Sequence, residues 1–184
     1  MNSDLEGKVV LVTGGAGGIG SVISKSFAEQ GAKVIVHYND SKENAEKISK
    51  EINGFAVNAD LTDSEQTKEL FNSIIQKEGK IDICIANAGK YPKNYAPLWE
   101  IDSDRWNNTI STNLSLTYNT SRYFLKHAAE TKKGSLVLIG STAGLYGEAG
   151  HADYAAAKGA ITSGLLRTMK NDAALIGNGV RVNA

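Results

Sequence analysis

The sequence predicts an α/β protein built on a doubly wound parallel sheet. Three observations lead there. Short β-branched runs alternate with longer amphipathic ones along the whole 184 residues. The short runs are mostly apolar at consecutive positions rather than at every second one, as strands buried on both faces must be. A glycine-rich turn joins the first of them directly to an amphipathic helical segment. Such alternation calls for helices on both sides of the sheet, with ligands bound beyond the carboxyl ends of the strands.

The first strand is KVVLVT (Lys8–Thr13), and it ends in TGGAGGIG (Thr13–Gly20). Gly14, Gly18 and Gly20 permit a tight turn and close backbone approach, and the helix that follows would offer free N–H groups to a pyrophosphate. An ATP-type phosphate loop is disfavoured, because Ser21 stands where that motif needs lysine. KVIVHY (Lys33–Tyr38) and GFAVNA (Gly54–Ala59) are the second and third strands. Thr62 and Glu65 have the spacing of a capping box and open a helix whose apolar stripe is Leu70, Phe71, Ile74 and Ile75. IDICIA (Ile81–Ala86) is the fourth strand. Trp106, Ile110 and Leu114 mark a further helix, SLVLIG (Ser135–Gly140) the fifth strand, and Ala157, Ile161 and Leu165 another helix. GVRVNA (Gly179–Ala184) is the sixth strand.

The length suits one domain, residues 1–184, with a sizeable core. Apolar residues make up 41% and charged residues 22%, and the formal net charge is zero. That balance argues against a nucleic-acid or anionic-membrane partner. No segment approaches the ~20 apolar residues of a membrane span, and the start of the chain lacks the pattern of a secretory signal. The single cysteine, Cys84, lies in an apolar run and reads as a buried free thiol, so a reducing cytoplasm is the expected location. His37, His127 and His151 are scattered, with no metal-ligand spacing.

Tyr154 and Lys158 lie four residues apart in DYAAAKGA, so on a helix they share a face. Free tyrosine has a pKa near 10, and a neighbouring ammonium favours the phenolate. The same spacing recurs at Tyr38 and Lys42, but there it straddles a strand end and lacks the surrounding motifs. Those motifs are TGGAGGIG, NAG at Asn87–Gly89, Asn113 in STNLS, and Ser141 in IGSTAG, 13 residues before Tyr154. Their order and separations resemble the short-chain dehydrogenase/reductase family in its single-domain, Rossmann-type branch, and within it reductases of the 3-oxoacyl-carrier-protein type. The resemblance covers the whole chain.

It implies an NAD(P)-dependent oxidoreductase that interconverts a carbonyl and a secondary alcohol. Tyr154 would be general acid in reduction and general base in oxidation, and would also contact the cofactor. Lys158 would bind the nicotinamide ribose, Ser141 would orient the substrate oxygen, and Asn113 would hold a water linking Lys158 to solvent. Gly14, Gly18, Ile19 and Gly20 would cradle the pyrophosphate. Asp60 and Leu61 would flank the adenine, and Asn87, Ala88 and Gly89 would brace the sheet beside the cofactor. A non-catalytic dinucleotide sensor, or an inactive fragment of a longer enzyme, is the alternative.

The end of the second strand bears on the choice of cofactor. An acidic residue there would bind the adenosine ribose of NAD. The family register puts Tyr38 at that position, followed by Asn39. Asp40 fits the generic spacing for a ribose carboxylate, or could cap the next helix with Glu43 behind it; Ser41 and Lys42 could hold a 2′-phosphate. NADP is favoured over NAD. Tyr91, Tyr95, Leu145, Tyr146 and His151 are expected to border a pocket for a small alcohol or ketone. The stretches 103–130 and 152–170 resemble the helices that pair between family subunits, implying a homo-oligomer, tetramer or dimer. The resemblance also implies a further turn, a substrate lid, a helix and a seventh strand after GVRVNA. The chain is therefore expected to be the C-terminally incomplete part of a longer protein, with Val180 and Val182 on an open sheet edge.

Overall fold

Val9 and Leu11 face one side of strand β1 (Val9–Val12), Val10 and Val12 the other, and all four are buried. That arrangement is the doubly wound architecture in miniature. The computed structural model describes residues 4–184. Five further strands, β2 (Lys33–Tyr38), β3 (Phe55–Asn58), β4 (Ile83–Ala86), β5 (Gly134–Leu138) and β6 (Val180–Asn183), complete a parallel sheet in the order β3-β2-β1-β4-β5-β6. On one face Leu11, Ile35, Cys84, Leu136 and Leu138 pack with Phe71, Ile74, Phe124 and Ile161. On the other Val10, Val12, Val34, Val36 and Ile85 pack with Ala45 and Ile48.

The helices covering these faces are α1 (Gly18–Glu29), α2 (Lys42–Glu51), α3 (Ser64–Glu78), α4 (Ser103–Ile110), α5 (Leu116–Thr131), α6 (Thr142–Tyr146), α7 (Ala152–Ala160) and α8 (Leu166–Ile176). Strand order reverses between β1 and β4, and such a switch point opens a crevice at the carboxyl ends. Cys84 is fully buried among these side chains, and burial raises its thiol pKa.

Several expectations need correction. Asp63, not Thr62, caps α3, its carboxylate accepting from Glu65 N and Gln66 N; the Thr62 hydroxyl instead donates to Asp60 Oδ1 at 2.7 Å. Ser41, not Asp40, precedes α2, and no side chain caps it. Segment 103–131 is one helical rod, but a π turn at Ser111–Ser115 separates α4 from α5, and another at Ile161–Leu165 separates α7 from α8. Trp106 of the predicted apolar stripe is exposed, and Ile110 and Leu114 are only half-buried. β6 is the edge strand expected for Val180 and Val182, but their side chains are buried in the core, and only Arg181 and Asn183 are exposed. None of the helices among the described residues is long and apolar enough to cross a membrane.

Candidate active site

The carboxyl ends of β1 and β4 are cross-tied before any ligand is considered. Thr13 Oγ1 donates to Ile85 O at 3.2 Å and accepts from the N–H groups of Asn87 and Ala88, both at 3.0 Å. Asn87 Nδ2 donates to Thr13 O at 2.9 Å and Gly14 O at 3.2 Å. Gly14 has φ +61°, a left-handed conformation that glycine adopts without strain. A Cβ on Gly20 would lie 2.1 Å from Gly14 O, so the loop folds directly over the first turn of α1. Gly17 precedes that helix and no side chain caps it, which leaves the first N–H groups free for an anion.

His37, a residue that sequence reasoning left without a role, is a pillar under this loop. Its Nδ1 accepts from Gly14 N at 3.0 Å, which makes Nε2 the protonated nitrogen that donates to Ala59 O at 3.0 Å. The ring thus joins β1, β2 and β3. Burial lowers its pKa from the ordinary 6.5 to about 4. The unfolded chain takes up the proton first, so this contribution is full above pH 6.5 and is lost as pH falls toward 4. With that gap it amounts to ~3 kcal/mol. Urea unfolding across pH 4–7 is expected to show a steeper slope in the parent than in His37→Gln, where His127, also held below its ordinary value by burial, still contributes; equal slopes would remove His37 as a source.

A cleft of about 900 Å³ runs from the glycine loop across the switch point, and every residue assigned above to cofactor or catalysis lines it except Lys42, which stands just beyond Ser41 of the lining. The residues present fit a dinucleotide: a glycine loop closed at Gly14 and Gly20 and open at Gly18, uncapped helical N–H groups, and an open rim at the end of β2. That rim is shaped by Asn58, whose Nδ2 donates to the carbonyls of Tyr38 and Asn39. Asp60 Oδ1 is engaged by Thr62, and the exposed Asp40 carboxylate lies 3.8 Å from Lys90 Nζ.

Across the cleft, Ser141 precedes α6, and its Oγ accepts from Ala143 N at 3.2 Å. Lys158 is buried, its pKa lowered by burial, and its Nζ donates to Ile139 O at 2.8 Å and sits 5.8 Å from the Tyr154 ring centre. Asn113 is fully buried in the first π turn. Its Nδ2 donates to Lys90 O and Thr109 O, while its Oδ1 has no protein partner. A Cβ on Gly89 would lie 2.8 Å from that Oδ1 and 3.7 Å from Lys158 Nζ, so the two polar atoms converge beside this glycine.

Of the residues expected to border a substrate pocket, Tyr91 lines the cleft. Its ring stands edge-on to Tyr154, with centres 5.0 Å apart. Its hydroxyl donates to Glu148 Oε1 at 2.6 Å, which pushes its pKa up to about 12. His151 does not line the cleft but lies buried beneath Tyr91, stacked at 4.6 Å, with its ring nitrogens 3.2 and 3.1 Å from the carbonyls of Ala149 and Pro92. Tyr95, Leu145 and Tyr146 are exposed and do not line the cleft.

Comparison with known proteins identifies the family. The short chain dehydrogenase family matches residues 8–184. The chain is 36% identical to a 3-oxoacyl-[acyl-carrier-protein] reductase of Thermotoga maritima, over 98% of this chain and 73% of that protein. It is 36% identical to the Vibrio harveyi protein of the same description, over 98% and 72%. It is 38% identical to an NADP-dependent mannitol dehydrogenase of Alternaria alternata, over 76% and 55%.

Proposed function

The chain belongs to the short chain dehydrogenase family, and from that premise we propose that it is an NAD(P)-dependent oxidoreductase interconverting a carbonyl and a secondary alcohol. The observation that carries this reading is the meeting of Tyr154, Lys158, Ser141 and Asn113 at one end of a cleft whose other end is the glycine loop. A bound nicotinamide dinucleotide supplies or accepts the hydride. The chain's own residues handle the proton and the substrate oxygen. Tyr154 gives its phenolic proton to the carbonyl oxygen in reduction and takes it back in oxidation. The Ser141 Oγ accepts a backbone bond, so its own hydrogen remains available to the substrate oxygen. Lys158 has two N–H donors left after Ile139 for ribose hydroxyls and for water. The unpartnered Asn113 Oδ1 suits a water beside it. The test is turnover of a panel of ketones and secondary alcohols with both cofactors.

The proposed cofactor is NADP. No carboxylate ends β2, Asp40 is countered by Lys90, and the Ser41 side chain caps nothing. Lys42 is largely exposed, 3.8 Å from Glu46, and close enough in sequence to serve a 2′-phosphate. NADPH is expected to bind roughly tenfold tighter than NADH, about 1.4 kcal/mol. Lys42→Ala should lose most of that difference in a fluorescence titration. Tighter NADH binding in the parent would instead make Asp40 a ribose ligand. Trp106 and Tyr118, exposed on α4 and α5, support a homo-oligomer through those helices.

A further inference from the structure

Asp153 immediately precedes Tyr154 and is fully buried. Its carboxylate is gripped by α4. Arg105 Nε donates to Oδ2 at 3.0 Å, Arg105 Nη2 to Oδ1 at 3.3 Å, and Thr109 Oγ1 to Oδ2 at 2.8 Å. Arg105 Nη2 also donates to Gly150 O at 3.0 Å, in the loop that leads into α7. Gly147 and Gly150 of that loop have φ +79° and +77°. Two left-handed glycines leave the entry to α7 free to drift unless something holds it. The guanidinium holds both the loop carbonyl and the first turn of the helix.

The other end of α7 is held differently. A Cβ on Gly144 of α6 would lie 2.6 Å from Gly159 N and from Lys158 C, so the two backbones touch. Tyr154 sits between these fixed points on a helix of nine residues. An apolar pair could fill the Arg105–Asp153 site at less desolvation cost, but only a bidentate pair fixes direction as well as distance.

We propose that Arg105 and Asp153 form a positioning pair for Tyr154, which docks the first turn of α7 on α4 and cancels a buried charge one residue away from the tyrosine. The proposal rests on the reading of Tyr154 as the acid–base group. Other charged and titratable groups face that phenol directly. Lys158 comes from its own helix, and Tyr91, with Glu148 and His151 behind it, from the loops opposite. They stay the same in every variant below.

The electrostatic consequence has opposite signs for the two partners. Arg105→Met leaves an uncompensated buried carboxylate one residue from Tyr154 and disfavours the phenolate. Asp153→Asn leaves a guanidinium there and favours it. The midpoint of the pH–rate profile for alcohol oxidation should therefore move up in Arg105→Met and down in Asp153→Asn, by about one unit each. Lost alignment should lower kcat in both by up to ~100-fold, with the KM for cofactor unchanged. Arg105→Lys keeps the charge but not the fork. It should restore the midpoint while kcat remains reduced.

The same opposite displacements are expected in a tyrosinate absorbance titration of the cofactor-free protein, taken as the difference from Tyr154→Phe. The midpoint of the rate profile reports the active molecules alone, and if Arg105→Met fails to fold, Asp153→Asn and Arg105→Lys carry the test. Parent-like kcat and midpoints in these variants would overturn the proposal. So would a loss of kcat with unmoved midpoints, which is what a purely structural pair would give. Full activity in Tyr154→Phe would instead overturn the underlying reading of the site, and the positioning role with it.

Discussion

Replacing Tyr154 by phenylalanine is expected to lower kcat about 1,000-fold in both reaction directions, within the span measured for general acid–base groups. Three decades of rate correspond to ~4 kcal/mol of transition-state stabilisation. The change removes one oxygen and little else. A phenyl ring keeps the edge contact with Tyr91 and the same packing on α7. Ser141 and Lys158 keep their bonds to Ala143 and Ile139. Dinucleotide affinity should therefore hold, and the whole loss should fall on kcat. Steady-state rates on a panel of ketones and secondary alcohols, alongside cofactor titration, separate the possibilities. Equal rates in the two proteins would remove Tyr154 from the chemistry. Cofactor binding without turnover in the parent would favour a nucleotide sensor.

The sheet was legible because its strands are short, β-branched and apolar at consecutive positions. Lys33–Tyr38 was read to the residue, since a run of that kind stops sharply at Asn39 and Asp40. The start of α3 was misread by one residue because Thr62 and Asp63 are both good caps, and Asp60 takes the Thr62 hydroxyl for itself. The π turn at Ser111–Ser115 was invisible to a periodicity argument, yet such bulges often mark functional sites and this one carries the buried Asn113. The glycine loop, Asn87, Ser141, Tyr154 and Lys158 were legible because each belongs to a spaced motif. His37 and Arg105 were not. Their roles come from contacts with Gly14 and Asp153, 23 and 48 residues away, and neither carries a motif of its own. Two weak signals were present. A histidine in the otherwise apolar KVIVHY has to satisfy both ring nitrogens inside the sheet. An aspartate next to a candidate catalytic tyrosine on a packed helix needs a cation.

Gly20→Ala is expected to weaken dinucleotide binding about 100-fold, ~2.7 kcal/mol, and to cost ~2 kcal/mol of stability, the usual price of overpacking a closed site. The added Cβ would lie 2.1 Å from Gly14 O and 2.8 Å from Asn87 Nδ2. Neither can yield cheaply. Gly14 O is backbone in a left-handed turn, and Asn87 Nδ2 is committed to Thr13 O and Gly14 O. The loop must therefore lift away from the start of α1, pulling on the Gly14–His37 bond and displacing the N–H groups offered to a pyrophosphate. Gly18 is the control. Nothing lies within 4 Å of its virtual Cβ, so Gly18→Ala should melt like the parent. Any affinity lost there reports direct approach of a ligand to that backbone, whereas the loss in Gly20→Ala reports a deformed cradle. Thermal melts and cofactor titrations of the two variants distinguish these cases. A Gly20→Ala protein with parent-like melting and affinity would show that the Gly14 carbonyl is free to move, and that the cross-ties from Asn87 and His37 do not hold the loop in place.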